Sequence, residues 1–368
     1  MKKFLALVLA LVMVFALCAC GQQAAPAAEE AAPAAAEEAA PAAEAEAKDY
    51  IECEPMTWKY ACSATDGSCW ADMGRVFGQY LSDKTNGAIT VDVYPSDQLT
   101  SGSQTEGIQA VIDGTTDLCA HSNLIMSSFD QRLNVVSLPF IFESTDDVDK
   151  LLDTGAAGYE ALAPVVEGLG LHLLGVAENG FRHPTNSVKP ITCLADMKGM
   201  KFRVAGSYVL NQAYDAWGTN WANANWSEVY TALQQGTYDG QENPLPTAYA
   251  ASVSDVQKYC TYWTGVYDCI FFCINQELYD SLSPEVQALV DEAGAYAAAN
   301  QRVLEREGDQ EVIDAWTAAG VEFSYLSDEA VAEFKEASSG VAQLFIDQCV
   351  ELGFDEADIT ALVNTFVG

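Results

Sequence analysis

Arginine is scarce in this chain, and two of its six arginines fall in one short, motif-dense segment. Arg182 closes Gly180-Phe181-Arg182, and Arg203 lies in Lys201-Phe202-Arg203-Val204; the others are Arg75, Arg132, Arg302 and Arg306. A guanidinium fork grips a carboxylate through two parallel hydrogen bonds, with a geometry no other side chain matches. The chemistry these residues suggest is anion capture rather than bond making. The plainer alternative for Arg203 is a surface ion pair. Asn243, which closes Gln241-Glu242-Asn243-Pro244, adds an amide able to donate and accept, and Pro244 stiffens the turn behind it.

Signs of catalysis are lacking. There is no Gly-x-Ser-x-Gly elbow, no phosphate-cradling glycine loop and no His-Glu-x-x-His. The three histidines form no readable triad or metal set. His172, in an apolar run, reads as core; His121 ends a strand within reach of a ligand; His183 neighbours Arg182. No cofactor or metal is expected.

The elements that would position these residues alternate between helix and strand. Thr57 to Ser63 alternates as a strand, and Ala71 to Ser82 carries apolar residues at helical spacing. Ile89 to Tyr94 is a strand, Gln104 to Asp113 a helix, and Leu118 to His121 a strand. A helix, Gly-Thr-x-Asp and an extended segment occur twice, at Gly114-Thr115-Thr116-Asp117 and at Gly236-Thr237-Tyr238-Asp239. Each glycine should end its helix in the left-handed conformation, with the threonine starting the next strand. Ser283-Pro284 is a helix start, and helix-forming residues continue to Ala319-Gly320, about 50 Å if unbroken. Glu307-Gly308 is the candidate break.

The motifs together resemble the extracytoplasmic solute-binding subunits of TRAP transporters. The most specific pieces are Glu228-Val229-Tyr230-Thr231-Ala232-Leu233 and Asp239-Gly240-Gln241-Glu242-Asn243-Pro244; Leu138-Pro139-Phe140 and Thr185-Asn186-Ser187 support them. The resemblance covers nearly all of the chain after the N-terminal tail. It implies an α/β, two-lobed periplasmic-binding-protein-like fold of the type II kind with a long lobe-spanning helix. Lobe I would take about 55–179 and 268–307, and lobe II about 180–267 and 308–368.

The resemblance also implies roles. Arg203 pairs with the ligand carboxylate, Arg182 contacts the same anion or orients Arg203, and Asn243 faces the ligand. Trp226 stands where relatives carry an aromatic residue packed on the ligand, and Gln104 where relatives have a polar residue on the opposite wall. Trp70 and Tyr267 are further candidates to reach the cleft. The implied function is a receptor that captures a small organic carboxylate between its lobes and delivers it to the TRAP membrane permease subunits. A ligand-sensing subunit of a signalling receptor would share the same fold, and a two-lobed hydrolase or lyase is a third class. The stretch Gly218 to Trp226 departs from the family, with two tryptophans and three asparagines that hint at a broader, more aromatic pocket.

The N-terminus reads as an address. Lys2 and Lys3 precede an apolar run to Leu17, and Leu17-Cys18-Ala19-Cys20 resembles a lipobox, so residues 1–19 are expected to be a lipoprotein signal and Cys20 the lipidated residue. Residues 20–48, rich in Ala and Glu and punctuated by Pro26, Pro33 and Pro41, read as a solvated stalk. The protein would then be exported and held at the outer face of the cytoplasmic membrane, or in the periplasm. A net charge of −36 argues against nucleic acid as a partner. Eleven cysteines, less Cys18 and Cys20, leave an odd number; Cys62 with Cys69 and Cys269 with Cys273 are candidate pairs.

Overall fold

The structure is a computed structural model that describes residues 50–367. The expected signal segment 1–19, Cys20 and the stalk 20–48 lie outside the described residues.

Two sheets organise the body. The first is ordered β2-β1-β3-β10-β4, from β1 (Met56–Cys62), β2 (Ile89–Tyr94), β3 (Leu118–Ser122), β4 (Leu171–Phe181) and β10 (Tyr267–Asn275). The second is ordered β11-β9-β5-β8-β6-β7, from β5 (His183–Asn186), β6 (Lys201–Val204), β7 (Asn220–Asn223), β8 (Gly240–Asn243), β9 (Tyr259–Tyr262) and β11 (Glu322–Tyr325). The chain passes from the first sheet to the second between Phe181 and His183 and returns between Tyr262 and Tyr267. This is the two-lobed α/β architecture. In each sheet the strands joined through helices run parallel, while β10 and β5 lie antiparallel to their neighbours. β10 is buried along its whole length, as its Cys-Ile-Phe-Phe-Cys-Ile centre requires of a strand covered on both faces.

The long helix Pro284–Ala319 is unbroken over 36 residues, about 54 Å. Ser283 Oγ accepts the Val286 N–H at its start, and Gly320 (φ 93°) closes it in the left-handed conformation. Gly308 does not interrupt it; a Cβ there would lie 3.2 Å from Pro246, so the residue permits a close approach. Val286, Leu289, Val290 and Ala293 of its first half join the core of the first sheet. Val312 and Trp316 of its second half join Val229, Leu245 and Cys260 beside the second. The C-terminal helix Glu356–Val367 folds back so that Phe366 lies against Gly158 of the helix Ala157–Glu167.

The repeated turn is real, with one correction. Gly114 and Gly236 both adopt φ 70°, ending the helices Gln104–Ile112 and Trp226–Gln234, but β3 and β8 begin after the aspartate rather than at the threonine. The reason lies in the aspartates. Asp117 Oδ2 accepts the Lys59 N–H at 2.7 Å, and Asp239 Oδ2 accepts the Lys201 N–H at 2.8 Å, so each carboxylate ties its turn to the neighbouring parallel strand.

All nine cysteines from Cys53 onward are free. Cys269 and Cys273 share one strand four positions apart, about 13 Å, beyond the span of any disulfide. The Cys62 thiol points to the Ala64 carbonyl, and Cys69 donates to Glu305 Oε2 at 2.6 Å, so that expected pair is not made either.

Candidate functional site

A narrow cavity of about 30 Å³ opens between the two sheets. Ser63, Trp70, Gln104, Ser122 and Asn179 face it from elements of the first sheet, and Arg182, Arg203, Trp226, Asn243 and Thr247 from the second. All five expected ligand-binding residues therefore line one cavity.

Arg203 arrives on β6. Phe202 turns into the hydrophobic core, and strand alternation sends Arg203 the other way. Its Nε and Nη2 donate to the Ala224 carbonyl at 3.0 and 2.6 Å. The Trp226 ring lies 5.7 Å from the guanidinium carbon. Arg203 is 2% exposed. Burial pulls its pKa down to about 10, partly offset by Glu242, so the group stays cationic at neutral pH. Arg75, Arg132, Arg182, Arg302 and Arg306 each form an ion pair with a carboxylate. Among the described residues, Arg203 is the arginine that does not.

Arg182 lines the same cavity but is already engaged. Its Nε and Nη2 donate to the Glu242 carboxylate, its Nη1 to Asp268, and its Nη2 also to the Glu242 carbonyl at 2.8 Å. Burial works against its charge, but Glu242 and Asp268 outweigh that and hold its pKa above the ordinary arginine value. Asp268 is further held by Ser122 Oγ and Asn179 Nδ2, both at 2.6 Å, and Thr247 Oγ1 donates to Asn179 Oδ1 at 2.7 Å. This network pins the two sheets together behind Arg203. Its acids were legible in principle. An aspartate opening the apolar run Asp268-Cys269-Ile270-Phe271-Phe272 calls for a buried partner, and so does Glu242 in a strand whose four residues are all buried.

The remaining lining carries unspent hydrogen-bonding capacity. Asn243 Nδ2 donates to Gln241 Oε1 at 2.8 Å, which leaves its carbonyl oxygen for a ligand. Gln104 Oε1 accepts the Trp226 N–H across the cavity at 3.4 Å, which leaves its amide protons. Ser63 Oγ and Trp70 Nε1 are buried without a hydrogen-bond partner. Ser63 carries no motif that would have singled it out.

Other expectations are redirected. Tyr267 is a core residue packed between Phe142 and Phe181 and does not line the cavity. His121 is buried against Asp97 at 2.8 Å, away from the lining, and Asp97 raises its pKa to about 10 against the effect of burial. His172 is not core: it stacks on Tyr279 and meets Asp291 at 2.9 Å with its side chain 21% exposed. Burial lowers the His183 pKa to about 3, keeping it neutral while its Nδ1 accepts the Trp263 N–H. Of the two tryptophans in the divergent loop, Trp226 reaches the cavity, whereas Trp221 donates to Asp215 at 3.2 Å on the outer strand β7.

Comparisons with known proteins converge. The family described as "Bacterial extracellular solute-binding protein, family 7" matches residues 60–348. The 2,3-diketo-L-gulonate-binding periplasmic protein YiaO of Escherichia coli is 32% identical over 272 residues, 74% of this chain and 81% of that one. A TRAP periplasmic solute-binding protein from Sulfitobacter, solved with β-D-galacturonate bound, superposes with a TM-score of 0.78 at 29% identity, covering 84% of this chain and 99% of that one. Another from Sulfurospirillum deleyianum, solved with succinate, gives a TM-score of 0.75 at 25% identity over 84% and 99%.

Proposed function

The chain belongs to family 7 of the bacterial extracellular solute-binding proteins, the solute-binding subunits of TRAP transporters, and on that premise we propose that it captures a small organic carboxylate with Arg203 and delivers it to a membrane permease. The observation that carries this reading is a buried guanidinium without a carboxylate partner, facing a cavity. A buried cation is tolerated when an anion pairs with it. Here the anion is the ligand. Arg182, neutralised by Glu242 and Asp268, acts as a positioning residue rather than a second anion clamp. Asn243 and Gln104 orient the acid from opposite sides, and Trp226 supplies an apolar wall.

Residues about 55–179 with 268–307, and about 180–267 with 308–368, would act as two lobes that close on the acid and shift the population toward the closed form. The crossings near Arg182 and between Tyr262 and Tyr267 would serve as hinges. Cys20 would carry the lipid that holds the receptor at the membrane, with residues 20–48 as its tether.

Calorimetry on the purified chain and on Arg203→Met, against organic acids found by a thermal-shift screen, tests the anchor. Unchanged affinity in the variant would remove Arg203 from the site. Mass spectrometry of the exported protein, with Cys20→Ala as control, tests the lipid.

A further inference from the structure

Charge and hydrogen-bond accounting within the cavity narrows the ligand class. Arg203 is the one lining cation without a carboxylate, since Arg182 is spent on Glu242 and Asp268. A second carboxylate on the ligand would therefore enter a buried site with no cation left to meet it, which costs more than the neutral groups around it return. The cavity is nonetheless too polar for a plain aliphatic acid. Ser63, in the residue after β1, and Trp70, in the first turn of the helix Cys69–Lys84, bring a hydroxyl and an indole N–H to the wall formed by the first sheet. They are 7% and 3% exposed, and Ser63 Oγ and Trp70 Nε1 have no partner in the protein. Two buried donors from the end of β1 and the start of the following helix, both left open at one cavity, define a place for uncharged oxygen. Gln104, on the same wall, adds free amide protons.

We propose that Ser63 and Trp70 form a subsite for hydroxyl or carbonyl oxygens, so that the ligand is a monocarboxylate bearing such oxygens, a hydroxy- or keto-acid of the sugar-acid kind, and not a dicarboxylate. This rests on Arg203 as the carboxylate anchor. The acid lies with its carboxylate at Arg203 on the second sheet and its oxygenated tail at Trp70 and Ser63 on the first. Binding then requires both sheets at once.

Calorimetry on the full chain with D-gluconate, D-glucuronate, hexanoate and succinate tests it. At least one of the two oxygenated monoacids should bind at least about 30-fold more tightly than either hexanoate or succinate. Trp70→Phe, which keeps the ring and removes the N–H, should weaken that oxygenated acid about tenfold, and Ser63→Ala should weaken it several-fold, with hexanoate unmoved by either. Succinate binding within threefold of the best oxygenated monoacid overturns the proposal while leaving Arg203 as anchor. So does a uniform loss for all acids in Ser63→Ala, a variant small enough to fold. If none of the four binds, this inference falls while the anchor is still judged by Arg203→Met; unchanged affinity in that variant removes the anchor and this inference with it.

Discussion

Arg203 gives two hydrogen bonds to one acceptor, the Ala224 carbonyl, at 3.0 Å from Nε and 2.6 Å from Nη2. One edge of the guanidinium is thus fixed by the chain that leads into Trp226, and Nη1 is left without a partner. The arrangement fixes the fork within the ligand-free protein, and under the proposed anchor role this would lower the ordering cost of binding.

Replacing Arg203 by Met separates binding from folding. Loss of the anchor should cost about 2–5 kcal/mol of binding free energy, because a buried carboxylate would lose its partner. Stability of the ligand-free protein should change by less than about 1 kcal/mol, since the lost hydrogen bonds are offset by removing a buried charge with no carboxylate beside it. Urea denaturation without ligand, beside calorimetry with it, reads both. A large loss of stability with intact binding would make Arg203 a structural residue.

Arg182→Met should do the opposite. It strands Glu242 and Asp268, whose side chains are 1% and 0% exposed, and breaking a buried pair in this way costs about 3–5 kcal/mol. The midpoint of urea unfolding should drop well below that of Arg203→Met. A loss under about 1 kcal/mol would show that the network does not hold the sheets.

Asp309 predicts a pH dependence. It lies on the long helix beside the end of β9, where burial raises its pKa from 3.8 to about 6 while the Tyr262 hydroxyl, donating at 3.3 Å, partly opposes the shift. The folded protein therefore holds this proton more tightly than the unfolded chain does. The resulting penalty is absent below pH 3.8, grows as pH rises toward 6 and is complete above it. Asp309→Asn should stabilise the protein at pH 7 by on the order of 2 kcal/mol and leave it unchanged near pH 3.5. Equal effects at both pH values would contradict the assignment.

Gly294 sets the approach of the long helix to β4. A Cβ there would lie 2.6 Å from Leu174 Cβ and 2.9 Å from its carbonyl oxygen. Gly294→Ala should destabilise by about 1–3 kcal/mol through overpacking, despite the better helix propensity of alanine. Thermal unfolding that shows a rise in Tm would mean the helix can shift freely.

Much of this protein was legible along the chain because the relevant physics is local. Ser283-Pro284 and Gly320 mark the ends of the long helix through capping, whereas its continuity past Gly308, the candidate break, was decided by packing against Pro246. The strands β1 to β3 followed from alternation and turn residues to within a residue or two. Arg203 and Asn243 stood out by type and motif, and Trp226 and Gln104 entered through the family resemblance.

Tertiary structure decided what each of those side chains is free to do. Arg182 and Arg203 look alike in sequence, yet Glu242 and Asp268, from strands far apart in order, consume the charge of Arg182 and leave that of Arg203 open. Ser63 became a candidate for the site because folding buried its hydroxyl without giving it a partner, and the same burial left the indole N–H of Trp70, already a candidate, open. Whether a polar group is satisfied depends on which distant segments pack against it, and that pairing is set by the closure of two sheets around a cavity rather than by any neighbour along the chain.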